Sequence, residues 1–97
     1  MDDYERRQVE SMKQQLRAYR NGRADLSGLI SNFESLYGCL PNMPAEWRAE
    51  FREHWGTLDV VYSVAIVNEE PVASDENNEA IAPALAALER LMEEALE

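Results

Sequence analysis

Residues 45–65 read AEWRAEFREHWGTLDVVYSVA, and their apolar members recur at one spacing. Trp47, Phe51, Trp55, Leu58, Tyr62 and Ala65 follow one another at intervals of 4, 4, 3, 4 and 3. An α-helix places residues so spaced on one face, whereas a strand would scatter them over two. A helix this long with so heavy an aromatic stripe needs other apolar surfaces around it. A strand through DVVYSVAIV is the competing reading, because that segment is rich in β-branched residues. The 3–4 spacing runs unbroken from Trp47, and no second strand exists to pair with it, so the segment is assigned to the helix. Val61 joins the stripe from its side. Gly56 marks either a close helix crossing beneath Trp55 or a slight bend, since glycine weakens a helix by about 1 kcal/mol relative to alanine.

Three further helices follow from the same reasoning. From Asp3 to Arg20, Val9, Met12, Leu16 and Tyr19 recur at 3, 4 and 3. Acids open this helix and Arg17 and Arg20 close it, as the helix dipole favours. Asn21-Gly22 is its stop, because both residues tolerate the left-handed C-cap conformation. A second helix begins after the N-cap Asp25 and carries Leu26, Leu29, Ile30, Phe33, Leu36, Tyr37 and Leu40 before Pro41 ends it. Pro44 suits the first turn of the third helix. The segment 68–79, NEEPVASDENNE, reads as a polar connection. The last helix carries Ile81, Leu85, Leu88, Met92 and Ala95, widened by Leu91 and Leu96. Its start is open: near Ser74 or Asp75, which leaves Pro83 inside and kinked, or near Ala82, which makes Pro83 a first-turn residue. Together the four helices predict an all-α, antiparallel four-helix bundle in one domain, residues 1–97.

Charge is uneven along the chain. Residues 1–23 hold four acids and six bases, a net of +2, while residues 24–97 hold 15 acids and three bases, a net of −12. Such a field aids solubility and steers the chain towards something basic. It argues against direct binding of nucleic acid, whose phosphates it repels. The bases of the first helix (Arg6, Arg7, Lys13, Arg17, Arg20, Arg23) are interleaved with acids and form no reading surface. The longest apolar run, VVYSVAIV (60–67), is far short of the roughly 20 residues of a membrane span. MDDYERRQVE lacks the apolar core of a signal peptide, so the cytoplasm is the expected location.

No catalytic constellation stands out. His54 is the only histidine and Cys39 the only cysteine. Glu50 and His54 share a face, but a zinc protease needs two histidines in H-E-x-x-H and a di-metal bundle needs Glu-x-x-His on two helices. The expectation is no catalytic residue, no metal and no cofactor: His54 is a boundary histidine in a hydrogen bond and Cys39 a buried small hydrophobe. Phosphate-binding glycine loops and nucleophile elbows are absent as sequence patterns. Glu46, Glu50 and Glu53 share one helix face beside Arg48 and Arg52, which predicts a surface ion-pair network.

Two stretches, YRNGRADLSGLISNFESL (19–36) and EWRAEFREHWGTLDVVYSVA (46–65), carry a likeness. The aromatic-x-x-Gly turn Tyr19–Gly22, Leu26, Leu29-Ile30, then Trp47, Phe51, Trp55, Leu58, Asp59 and Tyr62, and finally Ile81, Leu85, Leu88 and Leu91, resemble small acidic bacterial immunity proteins. These guard against contact-dependent growth inhibition toxins and related polymorphic toxins. A looser likeness is to the helical immunity protein of colicin D, which blocks a tRNA-cleaving toxin. The likeness covers some three quarters of the chain in spacing and residue type, and departs from the family at Pro83. It implies a non-enzymatic inhibitor, a monomer forming a 1:1 heterodimer with the basic C-terminal domain of a cognate toxin, often a nuclease. An acidic surface would occupy the toxin's phosphate-binding groove by charge mimicry.

Three groups of acids are the expected contact residues. Asp59 interrupts an apolar segment between Leu58 and Val60; its alternative role is to pair with Arg17 or Arg20 on a neighbouring helix. Glu69, Glu70, Asp75, Glu76 and Glu79 lie in the connection, which a rigid bundle could hold into a groove. The third group is the Glu46, Glu50, Glu53 face. The competing function is a helical adaptor or assembly subunit whose apolar face is completed by a partner helix.

Overall fold

The computed structural model describes residues 1–97 and is all-helical, with no strand. Its helices are α1 (Asp3–Arg20), α2 (Leu26–Gly38), α3 (Ala45–Val67) and α4 (Asp75–Leu96). Their ends follow local chemistry. Before α1, the Asp2 carboxylate accepts from the Glu5 amide at 2.7 Å, and the Glu5 side chain accepts from the Asp2 amide, a reciprocal capping box. After α1, Gly22 turns left-handed at φ +74°, the Gly22 amide donates to Tyr19 at 3.1 Å and the Arg23 amide donates to Ala18 at 2.8 Å. This is a Schellman motif at the expected Asn-Gly stop. Asp25 caps α2 through the Gly28 amide at 2.8 Å.

The valine-rich segment is helical throughout, so α3 runs to Val67. Pro44 is its N-cap and offers no side-chain cap. The start of α4 is decided by Ser74, whose hydroxyl accepts from the Asn77 amide at 3.1 Å. The connection is therefore 68–74, shorter than expected, and Pro83 lies inside α4. Helical structure continues through it. Both Pro83 and Glu79, whose carbonyl loses a donor, are exposed, so water can replace the missing N–H.

One apolar cluster joins the helices. α1 packs against α2 and α4, and α3 packs against the same two, while the backbones of α1 and α3 do not come within 8 Å of each other. Val9, Met12 and Leu16 contribute from α1, Leu29 and Phe33 from α2, Phe51 and Leu58 from α3, and Ile81, Leu88 and Met92 from α4. Each such buried aliphatic or aromatic side chain stabilises the fold by about 1.5–3 kcal/mol. Phe51 is the aromatic centre, with ring centroids 5.9 Å from Phe33, 5.1 Å from Tyr37 and 5.5 Å from Trp47. The two indoles lock the helices laterally: Trp47 Nε1 donates to the Leu91 carbonyl at 2.9 Å and Trp55 Nε1 to the Ile30 carbonyl at 3.0 Å. Trp55 and Tyr62 are only half-buried, so the inward stripe is narrower than its spacing implied. A side chain at Gly56 would meet nothing within 4 Å, which removes the close helix crossing from the two readings of that glycine.

The bases of α1 meet α4. Arg6 donates to the Leu96 carbonyl at 3.3 Å, at the negative end of α4, and Arg20 pairs with Glu89. No helix is long and apolar enough to cross a membrane.

Candidate functional site

The nine acidic candidates do not form one patch. Glu46, Glu50 and Glu53 lie exposed near the N-terminal end of α3, and Glu69 and Glu70 lie beyond its C-terminal end. At 1.5 Å per residue the two groups are about 30 Å apart, within a molecule whose longest dimension is 42 Å. A single partner groove that holds both must run most of the length of the molecule.

The first group differs from its expected ion-pair network. Glu50 pairs across to Arg90 of α4 at 3.1 Å, and Arg90 also bonds Glu94 at 2.9 Å. Glu50, and Glu94 after it, hold the Arg90 guanidinium above its ordinary value. Arg48 and Arg52 turn the other way: Arg48 lies 4.2 Å over the Tyr37 ring and donates to the Leu40 carbonyl, and Arg52 lies 5.0 Å from the Trp55 ring. Helical geometry explains this, because residues two apart in a helix point to opposite sides. Glu46 and Glu53 are left with no ion-pair partner.

Asp59 is half-buried and makes no ion pair. Neither Arg17 nor Arg20 pairs with it: the backbones of α1 and α3 do not approach within 8 Å, and Arg20 is engaged by Glu89. Its alternative role as their partner is overturned.

The third group divides. Glu69 and Glu70 lie in the connection, but Asp75 and Glu76 form the first turn of α4 and Glu79 the next, so these three are helical, not loop residues. Asp75 and Glu76 suit the positive end of α4. Glu69 and Glu70 are placed against preference. They follow the negative end of α3, whose last turn has no base. Glu69 also adopts φ +55°, making the second Schellman motif of the chain with a residue that pays for the left-handed conformation. The Glu69 amide donates to Ile66 at 3.1 Å and the Glu70 amide to Ala65 at 2.9 Å. The connection is tied down by Asn77, whose side-chain amide donates to the carbonyls of Pro71 at 3.3 Å and Val72 at 3.0 Å. Sequence reasoning missed Asn77; the signal was a side-chain amide in the first turn after a serine N-cap.

A cavity of 560 Å³ opens at this end of the molecule, between the α1–α2 turn and the connection, with Tyr19, Leu26, Val72, Ile81 and Leu85 among its walls. Burial raises the Tyr19 phenol above its ordinary value. The walls are mostly apolar and the volume suits an anchor side chain or a small ligand.

The candidates for chemistry are dispersed. His54 is half-buried and makes no side-chain hydrogen bond, contrary to expectation. Cys39 is half-buried rather than buried and lies against Tyr4, whose phenol it pushes up. No three His, Cys, Asp or Glu side chains are grouped to hold a metal ion, and no buried side-chain polar atom lacks a partner. What sequence reasoning overlooked is apolar: Val60, Val64 and Val67 are 59 %, 52 % and 79 % exposed on α3. Their spacing of 4 and 3 was legible, but the run was read only for its inward members.

Comparisons of the chain with protein-family models, curated proteins and solved structures find no match.

Proposed function

We propose that the protein is an immunity protein that binds a cognate bacterial toxin domain and neutralises it by covering its basic active site with an acidic surface. The toxin is a nuclease, an RNase or tRNase, and the complex is a 1:1 heterodimer formed in the cytoplasm. The protein itself performs no catalysis. One observation carries the reading: of the nine acidic candidates only Glu50 has an ion-pair partner, and all but Asp59 are exposed. Asp75 and Glu76 also complement the positive end of α4, but the exposed acids as a group are left facing solvent and confer a field that attracts a phosphate-binding groove. The position of Glu69 and Glu70 supports it, since both are placed where α3 disfavours negative charge.

The scaffold is an antiparallel bundle. Supporting this, partners in α2 advance from Ile30 through Phe33 to Tyr37 as those in α3 retreat from Trp55 through Phe51 to Arg48. A rigid scaffold of this kind holds a charged surface without much ordering cost on binding.

The test is to look upstream of the gene for an encoded toxin C-terminal domain and to mix the protein with it. A co-eluting 1:1 complex and loss of nuclease activity are expected; separate elution of the two proteins overturns the proposal. A helical adaptor is the second reading, favoured by the exposed valines of α3, and sedimentation distinguishes it: a tight homodimer of the isolated chain supports the adaptor, a monomer the inhibitor.

A further inference from the structure

The outward side of α3 carries a second regular stripe. Glu46, Glu50, Glu53, Thr57, Val60, Val64 and Val67 follow one another at 4, 3, 4, 3, 4 and 3. All are exposed except the half-buried Thr57, whose hydroxyl donates to the Glu53 carbonyl at 3.4 Å. The stripe spans about 32 Å. Its first three members are acidic and its last three are valines. A hollow of 220 Å³ lies beside Val64 and Val67, next to Ser63 and Asn68. Exposed β-branched residues on a long helix lower its propensity and gain nothing from burial, so this half of the stripe is unexplained by the fold.

A 3–4 repeat is the seam that one helix offers to another at a shallow crossing angle. The two halves of the seam specify the partner. A second copy of this chain fits poorly. Antiparallel pairing would press the glutamates against the valines and desolvate carboxylates without compensation. Parallel pairing would set glutamate against glutamate, on chains that each carry −10. An amphipathic helix with aliphatic residues on one half of its seam and Lys or Arg on the other meets both halves. Glu46 and Glu53 are free to pair with it, and Glu50 needs only to exchange Arg90 for a partner base.

We infer that the outward stripe of α3 is a docking surface for a partner's cationic amphipathic helix, with Val60, Val64 and Val67 as the apolar anchor and Glu46, Glu50 and Glu53 as the charge clamp. The inference rests on the reading above for the identity of the partner, but not for the chemistry of the surface. It moves the centre of binding from the acidic connection to the flank of α3. Bases alone give steering, whereas a desolvated apolar anchor supplies most of the affinity.

The probe is a synthetic helical peptide as long as the stripe, with leucines on the first half of its seam and lysines on the second, matched to the stripe in antiparallel orientation. A control peptide has the same composition with leucines and lysines alternating along the seam, so that neither orientation matches both halves of the stripe. Titration into the isotopically labelled protein should shift the amides of residues 46–67, with the control binding about tenfold more weakly or less. Val64→Glu and Val60→Lys should each weaken the matched peptide about tenfold or more. Both positions face solvent, and circular dichroism checks that the helices persist. Equal affinity for the two peptides, shifts centred away from α3, or indifference to both variants overturns the inference. So does a concentration-dependent homodimer that Val64→Glu dissolves. A toxin complex that forms with undiminished affinity for Val64→Glu removes the stripe and leaves the inhibitor reading intact. A matched-peptide response in a protein that forms no toxin complex does the reverse.

Discussion

Replacing Glu69 with glycine should stabilise the fold, even though it removes a side chain and adds no contact. Glu69 closes α3 at φ +55°. A left-handed conformation costs an L-residue about 1–2 kcal/mol, which glycine avoids. The greater freedom of glycine in the unfolded chain takes back about 0.4–1 kcal/mol. Loss of a carboxylate from the negative end of α3 returns about 0.3–1 kcal/mol at low salt. The sum is a gain of about 1 kcal/mol, which for a domain of this size raises Tm by about 4–8 °C. In urea the midpoint should move up with an unchanged slope. Two controls separate the causes. Glu69→Gln keeps the backbone cost and should recover only the salt-dependent part. Asn68→Gly, at φ −85°, relieves no strain and should destabilise. A Glu69→Gly midpoint at or below that of the parent would refute the reasoning, because either the conformation is not costly or the side chain makes a compensating interaction.

Other consequences follow from the packing and ionisation. Trp47→Phe removes the only side-chain donor to the Leu91 carbonyl in a buried setting and should cost about 1–3 kcal/mol by urea unfolding; Trp55→Phe, at a half-buried site, should cost less. Pro83→Ala restores an N–H for the Glu79 carbonyl and a strong helix former, and should stabilise the protein by up to about 3 kcal/mol, with slower amide exchange in the middle of α4. Burial raises the Tyr19 phenol in the folded state above its ordinary value of 10.0. Its contribution is therefore complete below pH 10 and is lost as pH rises through the higher folded value, so the urea midpoint should fall on that alkaline limb and Tyr19→Phe should flatten the fall.

Helix placement was legible because its signals are local. Asp2, Asn21-Gly22 and Asp25 act through their own backbones, and the stripe from Trp47 to Ala65 specified a helix against the β-propensity of its valines. The other ends were harder for physical reasons. Glu69 is not a residue that signals a left-handed turn, so the second Schellman motif had no sequence mark. Ser74 could act as an N-cap, but Pro83 offered an equally local competitor; in the structure the Ser74 cap on the Asn77 amide, with Ile81 docked in the core ahead of Pro83, places the start at Asp75. The acidic candidates were legible as charge but not as geometry. Arg48 and Arg52 are neighbours of Glu46, Glu50 and Glu53 in sequence, yet the aromatic rings of Tyr37 and Trp55 draw them to the α2 side. Asp59 was offered arginines on α1 that lie on the far side of the core. Which face of α3 is inward depends on all four helices at once, and so the outward valines were hidden within an apolar run.

The central claim is that unpaired acids steer this protein to a basic toxin domain. The most direct measurement is the association rate constant with the proposed toxin domain as a function of ionic strength, for the parent and for a variant with Glu69, Glu70 and Asp75 changed to lysine. The account predicts a rate that falls steeply with salt in the parent, and a slower rate with a flatter salt dependence in the variant. Identical rates and slopes for the two proteins would contradict it for this end of the molecule, and a parent rate independent of salt would contradict it altogether.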